Sequence, residues 1–547
     1  MRSHYIRFVI WIALLFPIHQ EAKCAIWQWS VSVNYATKYG RDSKAYLWIP
    51  EKCKRVRAII FAQNNMEEQS ILENKRFREE MSKLGIAEVW VSPGFDLSFD
   101  FQQGAGDIYR NIMRDLGTTS GYTELKYVPF IGLGHSAAAS SPYYMAAWCP
   151  EKAIAAISVS GQWPYFRAKN FAPDVWGSKN IDFIPCLETM GEYEAAVIWS
   201  AEGLKQRADH PNLPLSMLAC PGEGHFNATQ EKIDFLAFYI AKALKFRLPK
   251  NYNERSESLS KVDPTVTGWL MEKWSGDKDL NLKAAPVKTY AGSKAEAFWF
   301  FDKETVSAVR KYQRRFSGLK TPLIGYLQND TIIKQENTHN QIRLAFDPMS
   351  DGITFHVKPF FYDRVPGGSP RPGSWSGQPE GTPISFPIAA GLTVERITGP
   401  VIKINDSTFR VEPQYGFDKT ERGYEAWFAA VFKGDAYFRS AVQQAKMQLR
   451  PRNVLGEDQT ITFLPIPNLN RKSKHVKPQA LASSGLTVHF SVLEGPAIVK
   501  DNYIHLQPIP PNAKFPVKVV VEAWQYGSSK GHKVKTAEPI QQTFYIL

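Results

Sequence analysis

The chain has 547 residues, 44% of them apolar and 13% aromatic, which exceeds what one hydrophobic core holds and predicts about two to four domains. Its 36 glycines and 36 prolines are spread along the sequence, and no stretch is collagenous, coiled-coil or low-complexity. The formal charge of +13 comes from scattered lysines and arginines without a dense basic run, so no nucleic-acid partner is expected.

The amino terminus carries Arg2 and Arg7 ahead of the apolar run "FVIWIALLFPI" at 8–18, then polar "HQEAKC". This pattern predicts a secretory signal peptide over 1–25, because the run is well short of the roughly twenty apolar residues that span a bilayer. The product is then secreted or periplasmic, and no later segment predicts a transmembrane anchor. Five cysteines in so long a chain are no disulfide framework. Cys24 with Cys53 is the one pair considered, while Cys149, Cys186 and Cys220 lie in apolar contexts and read as buried thiols.

From 26 to 248, strand-like apolar runs alternate with helical patterns, the rhythm of a mostly parallel sheet with helices on both faces. The runs are "RAIIFAQ" at 57, "GIAEVWVSPG" at 85, "YVPFIGLG" at 127, "AIAAISVSG" at 153, "IPCLETMG" at 184 and "LPLSMLACPG" at 213. Helical periods fall at 67–84, 107–116 and 140–148, and "TQEKIDFLAFYIAKALKFRL" at 229 predicts a long amphipathic helix. Residues 249–335 read as a connecting segment packed on this domain, with a helix over 295–316.

Beyond 335 the chain turns β-rich, with short alternating runs between Gly, Pro, Asn and Asp. Gly391-Leu392-Thr393-Val394 followed by Gly399-Pro400 recurs about 95 residues later as Gly485-Leu486-Thr487-Val488 followed by Gly495-Pro496, a spacing close to one immunoglobulin-type sandwich. Two tandem β-sandwich modules are expected, over 336–455 and 456–547.

Chemistry concentrates at "YVPFIGLGHSAAASSPYYMAAW". An apolar strand runs into Gly134-His135-Ser136-Ala137-Ala138 and then a helix, the context of a nucleophile elbow in which a strained turn exposes the serine hydroxyl and its neighbours must be small. Ala138 stands where G-x-S-x-G has its last glycine. A serine hydroxyl needs a base, and the base needs an orienting acid. His225 lies in the Gly-rich loop "PGEGHFNA" before the long helix. Glu194 and Glu192 lie just past the strand ending at Gly191; Glu194 is the favoured acid and Glu192 the alternative. An oxyanion hole would use the Ala137 N–H and a donor from the loop after "RAIIFAQ", where Asn64 or Asn65 serves by backbone or side chain.

Elbow, acid and histidine in this order resemble the α/β-hydrolase superfamily over 26–248. The resemblance implies an eight-stranded mostly parallel sheet, an acyl-enzyme mechanism with Ser136 attacking, His225 carrying the proton and Glu194 orienting it, and no cofactor or metal. The carboxyl-terminal half is similar to bacterial Ig-like modules attached to exported enzymes.

The stretch 162–183 is short for a lid and predicts an open cleft, with Trp163, Tyr165, Phe166 and Trp176 available to contact substrate. The expected function is therefore a secreted serine esterase that removes acetyl or feruloyl groups from polysaccharide or a similar extracellular ester. A peptidase or lipase of the same fold is the second reading, and a non-catalytic glycan-binding or adhesion protein the third. If the sandwiches only target the enzyme, a fragment ending near 335 is expected to stay active.

Overall fold

The computed structural model describes residues 26–33, 42–165, 176–250, 252–253, 258–336, 341–388, 391–417, 419 and 421–547. The expected leader 1–25, Cys24 and Phe166 lie outside the described residues. Cys53 is a free thiol, as are the buried Cys186 and Cys220 and the half-buried Cys149.

Eight strands form one sheet: β1 Trp29–Ser32, β2 Lys44–Trp48, β3 Ala58–Gln63, β4 Ile86–Ser92, β5 Phe130–His135, β6 Ala153–Val159, β7 Cys186–Gly191 and β8 Leu215–Cys220. Their spatial order is β1-β2-β4-β3-β5-β6-β7-β8. The pairs from β4 to β8 are parallel, whereas β1 with β2 and β2 with β4 are antiparallel. Every residue of β3 to β8 is buried, as expected of strands covered on both faces, and this is why they read as continuous apolar runs. The segments "WSVS" and "KAYLW" are too short to declare themselves as β1 and β2.

The helices are α1 Glu68–Leu72, α2 Lys75–Leu84, α3 Ala105–Ser120, α4 Ser141–Trp148, α5 Ala196–Asp209 and α6 Gln230–Arg247. The single helical period predicted over 67–84 is broken at Asn74, whose side chain leaves the helical path to accept the Phe77 N–H at 3.1 Å and cap α2. The helix α5 has no counterpart among the predicted periods. The amphipathic reading of α6 needs correction, because it is buried around most of its circumference, Lys232, Lys242 and Arg247 included. Its outer side is covered by the connecting segment, and Lys242 pairs there with Asp302 at 2.6 Å.

In that segment the helix expected over 295–316 starts as a strand. Ala297–Phe300 is wholly buried beside Trp269–Glu272 and packs on β8, and only then does α7 Lys303–Arg314 begin, capped by the Asp302 carboxylate accepting from Thr305. A run of four apolar side chains, three of them aromatic, buried in both directions suits a strand better than one stripe of a helix.

The carboxyl-terminal half contains several small, mainly antiparallel sheets. The two sequence repeats occupy equivalent places. Thr393–Thr398 pairs with Glu425–Phe432 through a bulge after Arg396, and His489–Glu494 pairs with Val517–Trp524 through a bulge after Val492. Each is followed by a positive-φ glycine and a hairpin, Val401–Lys403 with Thr408–Val411 in the first copy and Ala497–Lys500 with Tyr503–Leu506 in the second.

These sheets share core with the eight-stranded sheet. Residues 461–546 contribute Phe463, Ile504, Val519 and Phe544 to the same apolar cluster as β3 to β8. Tyr415 donates its hydroxyl to the carbonyls of Gly495 at 2.6 Å and Ala497 at 2.9 Å, while its ring packs edge-on against Tyr46 of β2. Phe226 packs at a tilt against Trp427, and Met66 joins the same small apolar cluster. A chain stopped at 335 therefore exposes large apolar faces that are buried in the full chain. Such a fragment is expected to melt at a lower temperature than the full chain or to lose solubility. Equal melting temperatures by circular dichroism would contradict this coupling.

Candidate active site

Ser136 sits at the carboxyl end of β5 with φ of +54°, the left-handed region that a non-glycine residue enters at a cost. Two glycines make room for that turn. A Cβ on Gly134 would lie 2.1 Å from the Ala138 carbonyl oxygen, and one on Gly161, past the end of β6, would lie 1.9 Å from the Ala139 Cβ. Gly161 is a requirement that the sequence motif does not announce. Ala138 replaces the motif's last glycine without conflict, its methyl fully buried.

His225 lies in the loop between β8 and α6, its ring 6% exposed. The Ser136 hydroxyl donates to its Nε2 at 2.8 Å, and its Nδ1–H donates to Glu194 Oε1 at 2.7 Å. Glu194 follows the end of β7, where a Cβ on Gly191 would meet the carbonyl oxygens of Gly224 and Glu223 at 2.5 and 2.6 Å. Glycine at 191 thus lets the acid turn and the histidine loop touch. Glu192, the alternative acid, is directed elsewhere: it pairs with Arg439 at 2.7 Å and accepts the Gly222 N–H at 2.8 Å. Its carboxylate fastens the histidine loop to the carboxyl-terminal half.

Two layers of buried charge support these loops. Beneath the histidine loop, Glu223 pairs with Lys232 at 3.0 Å and Arg315 at 2.9 Å and accepts the Thr229 hydroxyl and that of Tyr312. Burial alone would raise the Glu223 carboxyl, but the two cations outweigh it and hold it below the usual carboxylate range. Beneath the elbow, Glu68 accepts the backbone N–H of His135 at 2.7 Å with one oxygen, and those of Asn65 at 2.9 Å and Met66 at 2.8 Å with the other. One buried carboxylate therefore joins the serine turn to the loop after β3. Asn65 adds a second link, its side-chain amide donating to the His135 carbonyl at 3.1 Å, and His135 Nε2–H donates to the His225 carbonyl at 3.0 Å.

This arrangement divides the expected oxyanion donors. The Asn65 N–H and side chain are committed to Glu68 and His135, and the Asn64 N–H to the Val91 carbonyl at 2.8 Å. Asn65 thus anchors the serine turn to the loop after β3. The Asn64 side chain and the Ala137 N–H remain as candidates; Ala137 is exposed, and its N–H is among those at a helical N-terminus with no intrahelical acceptor.

The aromatic residues predicted to contact substrate are mostly packing. Trp163 is 1% exposed, stacked between Trp199 and Phe298 with its Nε1–H on the Trp199 carbonyl. Trp176 is buried against Tyr144 and Tyr165, and Tyr165 stacks on His210 while its hydroxyl accepts from Ile181.

No protein-family model matches the chain, and no curated protein matches its sequence. Solved structures similar to part of it include Est1E from Butyrivibrio proteoclasticus, at 14% identity and TM-score 0.28 over 40% of this chain and 98% of that one. Esterase PE8 is similar at 16% identity and TM-score 0.28, over 36% of this chain and 97% of its own. Dienelactone hydrolase from Anabaena variabilis is similar at 17% identity and TM-score 0.27, over 40% and 96%. At such scores the likeness carries no weight beside the strand order and the elbow. The amino-terminal region is α/β-hydrolase-like.

Glu67, next to Glu68, is fully buried with neither carboxylate oxygen hydrogen-bonded among the described residues, and burial pushes its carboxyl up to about 8. Glu68 moves the same way, to about 7. Between the unfolded carboxyl value near 4.5 and about 8, the folded chain holds a proton that the unfolded chain has released. Stability therefore falls as pH rises through that window. Glu67→Gln is expected to reduce the drop in melting temperature between pH 5 and pH 8, and an undiminished drop would show that Glu67 is ionised in the fold.

Proposed function

We propose that the protein is a serine hydrolase that cleaves esters through an acyl-enzyme, with Ser136 as nucleophile, His225 as base and Glu194 as the orienting acid. The observation that carries this reading is the unbroken chain of short hydrogen bonds from Ser136 through His225 to Glu194 on a left-handed elbow. In the first step the Ser136 oxygen attacks the ester carbonyl carbon while His225 Nε2 takes its proton. Glu194, accepting from Nδ1–H, keeps the ring in the required tautomer and stabilises the imidazolium. In this reading the Ala137 N–H and the Asn64 side-chain amide donate to the developing oxyanion. Collapse of the tetrahedral intermediate expels the alcohol, which takes the proton from Nε2. Water then attacks the acyl-enzyme with Nε2 as base, and the proton returns to Ser136 as the acid leaves.

The substrate proposed is an acyl ester of an extracellular carbohydrate, acetyl or feruloyl, reached after export through the leader at 1–25. In this reading the two carboxyl-terminal repeats are Ig-like sandwiches. Their support is the equivalent strand pairing of the two copies, in each of which the last strand also pairs in parallel with an early segment, Ile342–Leu344 with 445–447 and Leu469 with Ile546. Among the described residues no helix is long and apolar enough to cross a membrane.

The test is hydrolysis of p-nitrophenyl acetate together with labelling by a fluorophosphonate. Ser136→Ala is expected to abolish both, and His225→Ala to lower kcat by roughly a thousandfold or more. Glu194→Gln is expected to lower kcat about a hundredfold or more with little change in KM, whereas Glu192→Gln acts on stability through Arg439. A wild-type chain that neither turns over nor labels would return the protein to the glycan-binding reading.

A further inference from the structure

In the first carboxyl-terminal repeat, residues 363–384 form a loop closed at its base, where the Val365 N–H donates to the Thr382 carbonyl and the Ile384 N–H to the Asp363 carbonyl, each at 2.9 Å. Within it lies the short helix α8 Arg371–Ser376, ended by Gly377 at φ of +66°. Trp375 of this helix packs on the apolar cluster of Leu323, Tyr362 and Val365. Its other contact is with the acid turn after β7. The Trp375 and Tyr193 rings lie 4.8 Å apart at 35°, and the indole Nε1–H donates to the Tyr193 carbonyl at 3.0 Å.

That carbonyl belongs to the peptide bond that enters Glu194. The bond is planar, so the groups that hold its oxygen and its N–H fix where the Glu194 Cα lies and how its side chain leaves the backbone. Trp375 holds the oxygen, and the Gly191 carbonyl holds the N–H at 3.2 Å. One peptide earlier, the Tyr193 N–H donates to the Glu223 carbonyl at 2.9 Å, next to the histidine loop's buried charge cluster.

Backbone support matters here because the Glu194 carboxylate has little else to locate it. Its Oε1 accepts from His225, whereas Oε2 is buried with no donor among the described residues. A carboxylate with a single hydrogen-bonding side chain takes its place from the turn that carries it. Glu192, two residues earlier, is gripped by Arg439 of the same repeat, so the turn is held from the carboxyl-terminal half at two neighbouring residues.

We infer that Trp375 is a positioning residue for the triad acid: its indole N–H locks the peptide before Glu194, so that the carboxylate meets His225 Nδ1. The inference rests on the serine-hydrolase reading and extends its machinery into the carboxyl-terminal half. The repeat then sets the geometry of the acid, a role distinct from targeting.

The experiment is a double-mutant cycle on the full chain with p-nitrophenyl acetate as substrate. Trp375→Phe keeps a ring and removes the N–H; it is expected to lower kcat about fivefold with KM changed less than about twofold, the effect of one lost hydrogen bond. In the Glu194→Ala background there is no acid to position, and the same substitution is expected to change kcat by less than about twofold. Trp375→His, whose Nε2 stands where the indole Nε1 does in the five-membered ring, is expected to keep more of the wild-type kcat than Trp375→Phe. A role in packing alone predicts the reverse order and equal losses in both backgrounds. Either of those results, or a kcat unmoved by Trp375→Phe, overturns the positioning role while Ser136-dependent turnover by the wild-type chain preserves the hydrolase reading. Absence of wild-type turnover overturns both.

Discussion

The left-handed backbone at Ser136 is the constraint around which the site is built. A parallel strand buried on both faces must end abruptly if a polar side chain is to stand clear of the sheet, and the sharp turn into α4 does this at a conformational cost. That cost is borne by close packing. Gly134 and Gly161 leave no room for a Cβ beneath the turn, and the carbonyl and N–H of His135 are tied to Asn65 and Glu68. A serine held in this way has few alternative positions, so the 2.8 Å hydrogen bond to His225 does not depend on a flexible side chain finding its partner.

The supporting layer is unusual in its burial of charge. Glu223, Lys232 and Arg315 form a compensated cluster under the histidine loop, and a buried cluster with partners on several elements specifies geometry more than it adds stability. Because Arg315 and Tyr312 come from the end of α7 and just beyond it, the connecting segment is a structural part of the site. Glu192 and Arg439 play the matching role on the other side, where the first repeat grips the same loop. The close approach of Ser440 to Gly222, which excludes any Cβ at 222, shows how tightly the two regions are fitted.

This fit changes what the carboxyl-terminal half means. Modules that only target an enzyme keep their contacts with it few and polar, as in inter-domain interfaces that move. Here Phe226, Met66 and Trp427 share an apolar cluster, and the last 90 or so residues join the main core. The physical consequence is a single body in which the histidine loop is clamped between α7 and a β-sheet of the first carboxyl-terminal repeat.

Much of this was legible in the sequence where the signal is local. Six buried parallel strands declare themselves because burial on both faces demands uninterrupted apolar residues. The elbow, the histidine loop and the acid turn follow from small residues and from chain order, and Glu194 is preferred to Glu192 by its place in the turn. The edge strand β1, its neighbour β2, helix α5 and the strand before α7 were not legible, since their patterns are short or are overridden by what covers them. What the sequence by itself determined was the hydrolase-like framework and the three residues that meet on it. Only the tertiary structure decided that Asn65 is an anchor, that Trp163 and Trp176 are core, and that the distant repeat grips the acid turn and the histidine loop. Those roles depend on which surfaces meet across hundreds of residues, and local periodicity carries no record of that.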